Sequence, residues 1–351
     1  MTRSIPVADA DAELAARVRA SLAAPGAGPM TVLPGGRSGL TYALSDGATG
    51  YVVKAVPPGR KAVGRNDVLH QATALAALAG RGLPLPRVVA RDEEAPAWFA
   101  MEFAAGDAVE PVLDVASART AAPIDPGLAR TRMLAAARVL GALHAVPLAE
   151  LERAVTGLGA QLPAAADPGA ELERWATTMR AVPDELRPGS GELLTALSAA
   201  VPAAVAPTVV HGDFRLGNLL FIGATPTALV DWEIWGVGDP RVDLGWFGVF
   251  TSGRLFPGSG REAAGLPTEA ELGREYRAAR GEDGGTQQDE VWFQAFGRMK
   301  MAAIMGHNLV RHRRGAHHDP VQETLPPAIA AMIRDARRLL GDPTLDGEAV
   351  R

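Results

Sequence analysis

An α+β fold is predicted, in which a small antiparallel unit near the N-terminus precedes a larger, mostly helical lobe. Three observations predict it. Up to about residue 103, short β-branched and aromatic runs alternate with glycine turns around one main helical stretch. Beyond Gly106, apolar residues recur at helical spacing in a succession of long segments. A strand–loop–strand pattern, TVVHGDFRLGNLLF (208–221), is set into that helical region.

Taken in order, residues 8–23 carry a short amphipathic helical pattern. Strands are expected over 31–33, 40–44 and 51–56, divided by a Gly35-Gly36 turn and by Ser45-Asp46-Gly47, a hairpin signal. A helix is expected over 62–79, closed by Gly80 and Gly82, and two further strands over 87–91 and 97–103. Helices follow over 128–146, 170–182, 191–201, 269–279, 289–314 and 328–340, with strands at 208–210, 219–221 and 227–230. The Gly-, Ala- and Pro-rich stretches 147–168 and 251–267 read as loops, and as the pieces best suited to cover a substrate. The expected division is a first lobe over 1–103 and a second over 104–351.

Bulk properties narrow the function. With 351 residues, 47% hydrophobic and 21% charged, the chain has the composition of a globular protein with room for two lobes. A net charge of −5 offers no electrostatic case for nucleic acid as a partner. No cysteine is present, which excludes disulfides, thiolate catalysis and cysteine zinc sites and fits a reducing compartment. The opening MTRSIPVADADAEL lacks an apolar core of signal-peptide length. The longest uncharged run, 193–210, contains Pro202 and Pro207 and reads as a helix end, a turn and a strand rather than a membrane span. A cytoplasmic protein with no membrane partner is expected; nothing indicates its oligomeric state.

The chemistry is concentrated in 208–243. His211, Asp213, Arg215 and Asn218 lie between two apolar strand runs, and buried polar groups cost free energy unless something uses them. The spacing Asp213-x4-Asn218 is that of the protein-kinase catalytic loop, in which the Asp accepts the acceptor hydroxyl's proton and the Asn holds Mg²⁺. A satisfied polar turn has the same spacing. Thirteen residues on, Asp231 ends a further apolar run in ALVDWEIWGVGDPRVDLGW, a position that suits a second oxygen ligand for Mg²⁺. Asp239 reads as a helix N-cap, and Asp243, in the first turn of that helix, as a brace for the loop's backbone. The plain alternative is an acidic, well-capped turn.

Together these stretches resemble the aminoglycoside phosphotransferase/choline kinase-like family, nearest the branch that includes kinase-like domains fused to acyl-CoA dehydrogenases. The resemblance spans roughly residues 28–320. It implies a bilobal protein-kinase-like fold and ATP- and Mg²⁺-dependent phosphorylation of a small molecule's hydroxyl. Carried onto this chain, it makes Asp213 the catalytic base and Asn218 and Asp231 the metal ligands. His211 would hold the loop, Arg215 would lie near the transferred phosphate, and Glu233 would stand behind the metal. In the first lobe, LPGGRSGLTYAL resembles the nucleotide loop, in which Gly35, Gly36 and Gly39 let backbone amides approach phosphate; a hairpin turn would look the same. Lys54 in YVVKAV matches the lysine on the α- and β-phosphates, though a solvent-facing lysine fits the strand as well. WFAMEF, ending in Met101, Glu102 and Phe103, matches the strand and hinge where adenine stacks and bonds to backbone. Walker A and dinucleotide G-x-G-x-x-G patterns are absent.

One position departs from the family. Where it places a Glu to pair with the lysine, the best register puts Gln71, which accepts a hydrogen bond but brings no charge. Asp67, one turn earlier, is the candidate substitute. His307, His312, His317 and His318 match no zinc pattern and read as a basic helix end, and His144 as a buried, hydrogen-bonded structural residue. Residues 298–314 carry Arg298, Lys300, Arg311, Arg313 and Arg314 and no acid. If that helix lines the acceptor pocket, a neutral or anionic acceptor is favoured, such as a hydroxyacyl thioester or a hydroxylated metabolite. The rivals are an aminoglycoside or other antibiotic O-phosphotransferase, a catalytically idle nucleotide-binding protein, and a metal-dependent hydrolase, which lacks a second histidine near the loop.

Overall fold

The computed structural model describes residues 5–6, 10–33, 40–57, 59–112, 124–258, 263–281, 287–316 and 318–345. Gly35, Gly36, Gly39 and His317 lie outside them, so the expected nucleotide loop is not among the described residues.

The N-terminal region is a six-stranded sheet of order β1-β2-β3-β4-β6-β5, antiparallel throughout. Its strands are β1 (Ile5–Pro6), β2 (Thr31–Val32), β3 (Leu40–Ser45), β4 (Gly50–Ala55), β5 (Val88–Asp92) and β6 (Trp98–Glu102). Asp46 closes the β3–β4 hairpin by accepting the amides of Ala48 at 3.0 Å and Thr49 at 2.6 Å. Alternation along β6 sorts its side chains, as the pleat requires. Trp98 and Ala100 join Leu14 and Val18 of α1 (Ala10–Ser21), while Phe99 and Met101 face α2 (Val68–Leu78) and the second lobe.

The helix expected from residue 62 starts six residues later, because Asp67 accepts the His70 amide at 3.1 Å and caps α2. The segment before it holds only a single turn of 3₁₀ helix.

The rest is helical, built from α3 (Pro126–His144), α4 (Leu148–Gly157), α5 (Pro168–Arg180), α6 (Ser190–Ala199), α7 (Arg241–Gly248), α8 (Glu269–Arg280), α9 (Gln287–Arg313) and α10 (Pro326–Leu339). Asp125 and Asp167 cap α3 and α5, each followed by proline at the first turn, and Thr268 and Glu271 form a reciprocal capping box on α8. Two small ribbons are inserted: β7 (Thr208–Val210) with β10 (Gly236–Gly238), and β8 (Leu219–Ile222) with β9 (Thr225–Leu229).

Two expectations are corrected. The stretch 147–168 is not all loop, since Leu148, Leu151 and Val155 recur at helical spacing and form α4 against α2. The strand β10 was not expected; three residues, two of them glycine, carry no β signal until β7 pairs with them. No single described helix is long and apolar enough to cross a membrane.

Helices α7 and α9 meet backbone to backbone. A Cβ on Gly297 would lie 2.4 Å from the Gly245 carbonyl oxygen, and one on Gly245 would lie 2.2 Å from that of Phe293. Only glycine fits at this crossing. It sets Trp246 and Lys300, the next residues along the two helices that face the loop after β7, side by side.

Candidate active site

The loop between β7 and β8 is pinned from below. Asp243, in the first turn of α7, accepts the His211 amide at 2.6 Å and the Gly212 amide at 2.8 Å. Burial opposes its ionisation, but the hydrogen bond and charge of His144, with His211 and Lys300 behind, hold its carboxyl below the usual range. His144 Nε2 lies 3.3 Å from Asp243 and Nδ1 3.0 Å from the Tyr276 hydroxyl, the buried structural role expected of it. Gly212 has φ +83° and no room for a Cβ, which would sit 2.6 Å from the Ile234 carbonyl oxygen. Asp239 accepts the Arg241 amide at 3.0 Å, capping α7, and also binds the Arg241 guanidinium.

His211 is fully buried, and burial pushes its pKa down; its Nε2 meets the Val230 carbonyl oxygen at 3.0 Å. Asp213 is gripped at both carboxylate oxygens. The Trp246 indole N–H donates to Oδ1 at 3.0 Å, and Asn218 Nδ2 donates to Oδ2 at 2.9 Å and to the main-chain oxygen at 2.8 Å. Arg215 Nε stands 3.6 Å from Oδ2. The Val230 amide donates to the Asn218 carbonyl at 2.9 Å, which joins this loop to Asp231.

Asp231 adopts φ +69°, a left-handed conformation that Asp tolerates better than most residues. Its Oδ1 receives Lys54 Nζ at 3.3 Å. Burial works against the ionised carboxylate, yet Lys54 and His211 outweigh it and hold the pKa below the ordinary value. Lys54 also donates to Gln71 Oε1 at 2.9 Å and lies 3.6 Å from Glu233 Oε1.

The register that placed Gln71 opposite Lys54 therefore holds. Asp67 does not substitute for the absent Glu, being the cap of α2. The second charge beside Lys54 comes instead from Glu233, two residues beyond Asp231.

The donors fit Mg²⁺ only in the manner of a nucleotide site. Among the described residues no three His, Cys, Asp or Glu side chains converge on one point. Asn218 spends its amide nitrogen on Asp213, which leaves Oδ1 as an acceptor, and Asp231 offers a carboxylate. One carboxylate and one amide oxygen are what Mg²⁺ takes from protein when phosphates supply the rest.

At the hinge, Met101 is buried, Glu102 pairs with Arg87 and the Phe103 side chain is 56% exposed. The amides of Glu102 and Phe103 are committed to the Arg87 and Gly50 carbonyls, each at 2.9 Å.

Glu110, in AAGDAVEPVL, is a functional candidate that sequence reasoning missed. Its side chain is buried; Oε2 accepts the Gly217 amide at 3.0 Å and stands 3.6 Å from Arg215, while Oε1 meets no partner among the described residues. Burial pushes its pKa up to about 7, against the pull of Arg215 and the Gly217 amide. The folded chain thus holds this proton more tightly than the unfolded one. Stability should fall as pH rises from 4.5 to about 7 and then level off. In Glu110→Gln, which keeps an acceptor for Gly217, that slope should vanish. Denaturant unfolding of both chains at pH 5 and pH 8 should show the variant gaining about 3 kcal/mol over the parent across that interval; parallel curves would refute the burial argument.

Beside Gly212 opens a cavity of about 480 Å³, walled by Trp175, Trp235, Ile234 and Pro163 with Glu171, Arg174, Glu233 and Lys300. Pro163, Ala164 and Ala166, from the stretch expected to cover substrate, border it. The expectation of a basic α9 lining the pocket is corrected. Arg298 is buried against Glu269 and Asp335, Arg313 pairs with Glu323, Arg311 and Arg314 are exposed, and only Lys300 reaches the cavity.

Comparison with known proteins bears on the family and the fold. Over 232 residues the chain is 27% identical to mouse acyl-CoA dehydrogenase family member 10, matching 62% of this chain but spanning only 20% of that protein. A solved structure from Ralstonia eutropha JMP134, described as a "putative aminoglycoside phosphotransferase", superposes with a TM-score of 0.71 at 24% identity, covering 96% of this chain and 99% of the other. A thermostable mutant of aminoglycoside phosphotransferase APH(4)-Ia, in ternary complex with ADP and hygromycin B, gives a TM-score of 0.56 at 14% identity, covering 93% and 98%. At such identities the structural likeness is one of fold, the bilobal protein-kinase-like α+β fold that the sequence predicted. Residues 29–292 match the phosphotransferase enzyme family, and the chain belongs to it.

Proposed function

We propose that this protein transfers the γ-phosphoryl group of ATP to a hydroxyl of a small molecule, with residues 1–103 serving the nucleotide and 104–351 the reaction and the acceptor. The observation that carries the reading is the chain of contacts from Asp213 through Asn218 and Val230 to Asp231 and Lys54, which supports assigning them as a base, two oxygen ligands and a phosphate-binding cation. Asp213 takes the hydroxyl proton as the new oxygen–phosphorus bond forms and the bridging bond to ADP breaks. Lys54 binds phosphate oxygens, and Arg215 offers charge to the group in transit. Asn218 and Asp231 would hold Mg²⁺, which supplies neutralisation of the phosphate charge. Holding the partners in line accounts for most of the rate, since phosphoryl transfer asks little covalent chemistry of the protein.

The cavity carries both signs of charge between aromatic and aliphatic walls, which favours a neutral acceptor with an apolar body over a polycation. Hydroxyacyl thioesters and hydroxylated metabolites remain in view, the former because the mouse relative bears an acyl-CoA dehydrogenase name. An idle nucleotide-binding protein is disfavoured because Lys54 keeps both a hydrogen-bond acceptor and nearby carboxylates despite Gln71. Transfer of labelled γ-phosphate from ATP across a panel of neutral, anionic and aminoglycoside alcohols tests the reading. Turnover is expected on a neutral acceptor, and selective turnover of an aminoglycoside would overturn the preference.

A further inference from the structure

We propose that Trp246 is a positioning residue for phosphoryl transfer, its indole N–H fixing the orientation of the Asp213 carboxylate while Lys300 fixes the indole. The proposal rests on the reading of Asp213 as the base. Trp246 is 3% exposed, and its N–H donates to Asp213 Oδ1 at 3.0 Å. Asn218 already holds Oδ2. A carboxylate gripped at one oxygen can still rotate about its Cβ–Cγ bond; gripped at both, from two different elements, it cannot. Each oxygen keeps a further lone pair, so the grip aims the base without using up its capacity to accept a proton.

The indole is itself held. Lys300 Nζ lies 4.3 Å from its ring centroid and 5.2 Å from that of Trp175, and donates to the Gly212 carbonyl at 2.5 Å. Phe250 meets the Trp246 ring edge-on with centroids 5.6 Å apart. Burial pushes the Lys300 pKa down; Asp243, Asp213 and Glu171 resist this, while Arg174 adds to it. A cation over an indole face in a water-poor site is a strong contact, so one ammonium group pins the ring and the main chain next to Asp213 together. The glycine crossing of α7 and α9 brings the two main chains into contact close to this pair.

A purely structural Trp246 would affect stability and leave turnover per folded molecule unchanged, so the test separates the two. The chain holds six tryptophans, and the indole N–H signals of a ¹⁵N-labelled sample can be read singly, with Trp246→Phe assigning the signal concerned. In Asp213→Ala, that signal should move upfield by more than the other five. Kinetics use Mg²⁺–ATP with water as acceptor, alongside ADP affinity measured by calorimetry. Trp246→Phe, which keeps the ring and its contact with Lys300, should lose about tenfold in kcat with KM for ATP and ADP affinity unchanged.

Wild-type kcat in Trp246→Phe alongside an inactive Asp213→Ala overturns this proposal alone. Full activity in Asp213→Ala overturns the reading of the base as well. If Trp246→Phe does not fold, the response of the indole signals to Asp213→Ala still decides, and six unmoved signals refute the contact.

Discussion

Asp213→Ala should lose roughly 10²–10⁴-fold in kcat while binding ADP as tightly as the parent chain. The reasoning is geometric. Lys54, Gln71 and Asp231 make their contacts with one another and not with Asp213, so the groups assigned to phosphate keep their places. What disappears is the proton acceptor. The Trp246 and Asn218 donors are left facing a methyl group, a cost of about 1–3 kcal/mol in stability, so thermal unfolding should be followed beside activity and each rate corrected for the folded fraction. Calorimetry with ADP and a γ-phosphate transfer assay make the pair of measurements. Turnover within a factor of about three of the parent would remove Asp213 from the mechanism.

Asp231→Asn should sever the link between nucleotide and metal. Asn tolerates the left-handed backbone found here, so the substitution spares the fold where Ala would add strain. Lys54 retains Gln71 at 2.9 Å and Glu233 at 3.6 Å and stays in position. The change therefore isolates the carboxylate. Loss of even an outer partner of a metal site costs about 10–100-fold in affinity, and loss of a direct ligand should exceed that. The Mg²⁺ concentration that half-maximally strengthens ADP binding should rise accordingly, and Mg²⁺–ATP hydrolysis should fall with it. Equal Mg²⁺ dependence in both chains would show that Asp231 is no ligand. Hydrolysis by the parent, lost in the variant, would also dispose of the idle-protein alternative.

The loop between β7 and β8 was legible as a candidate site because its polar residues are close in sequence. Asp213 and Asn218 are five residues apart, and Asp231 follows at the end of a recognisable apolar run, so one short stretch of chain carries the spacing that tertiary structure then closes. Helices with strong periodicity and good caps, α3, α5 and α8 among them, were equally plain. What failed was whatever depended on distant partners. Glu110 is a loop acid until the fold buries it beneath Gly217, β10 is glycine until β7 pairs with it, and the cations of α9 belong to a pocket or to salt bridges according to a helical rotation that composition does not specify. Glu233 was seen, but its closeness to Lys54 was not, since Lys54 lies in another lobe and 179 residues earlier in the chain.

The crossing at Gly245 and Gly297 has a consequence for how selectivity can drift. Lys300, on the wall of the cavity beside Gly212, rises from α9 close to where two main chains touch, so neither Gly245 nor Gly297 can gain a side chain without parting the helices. Half-buried Pro163, exposed Ala164 and exposed Arg174, also on the cavity wall, are open to exchange against solvent. The shape of the cavity can thus change through those three residues more readily than through the crossing.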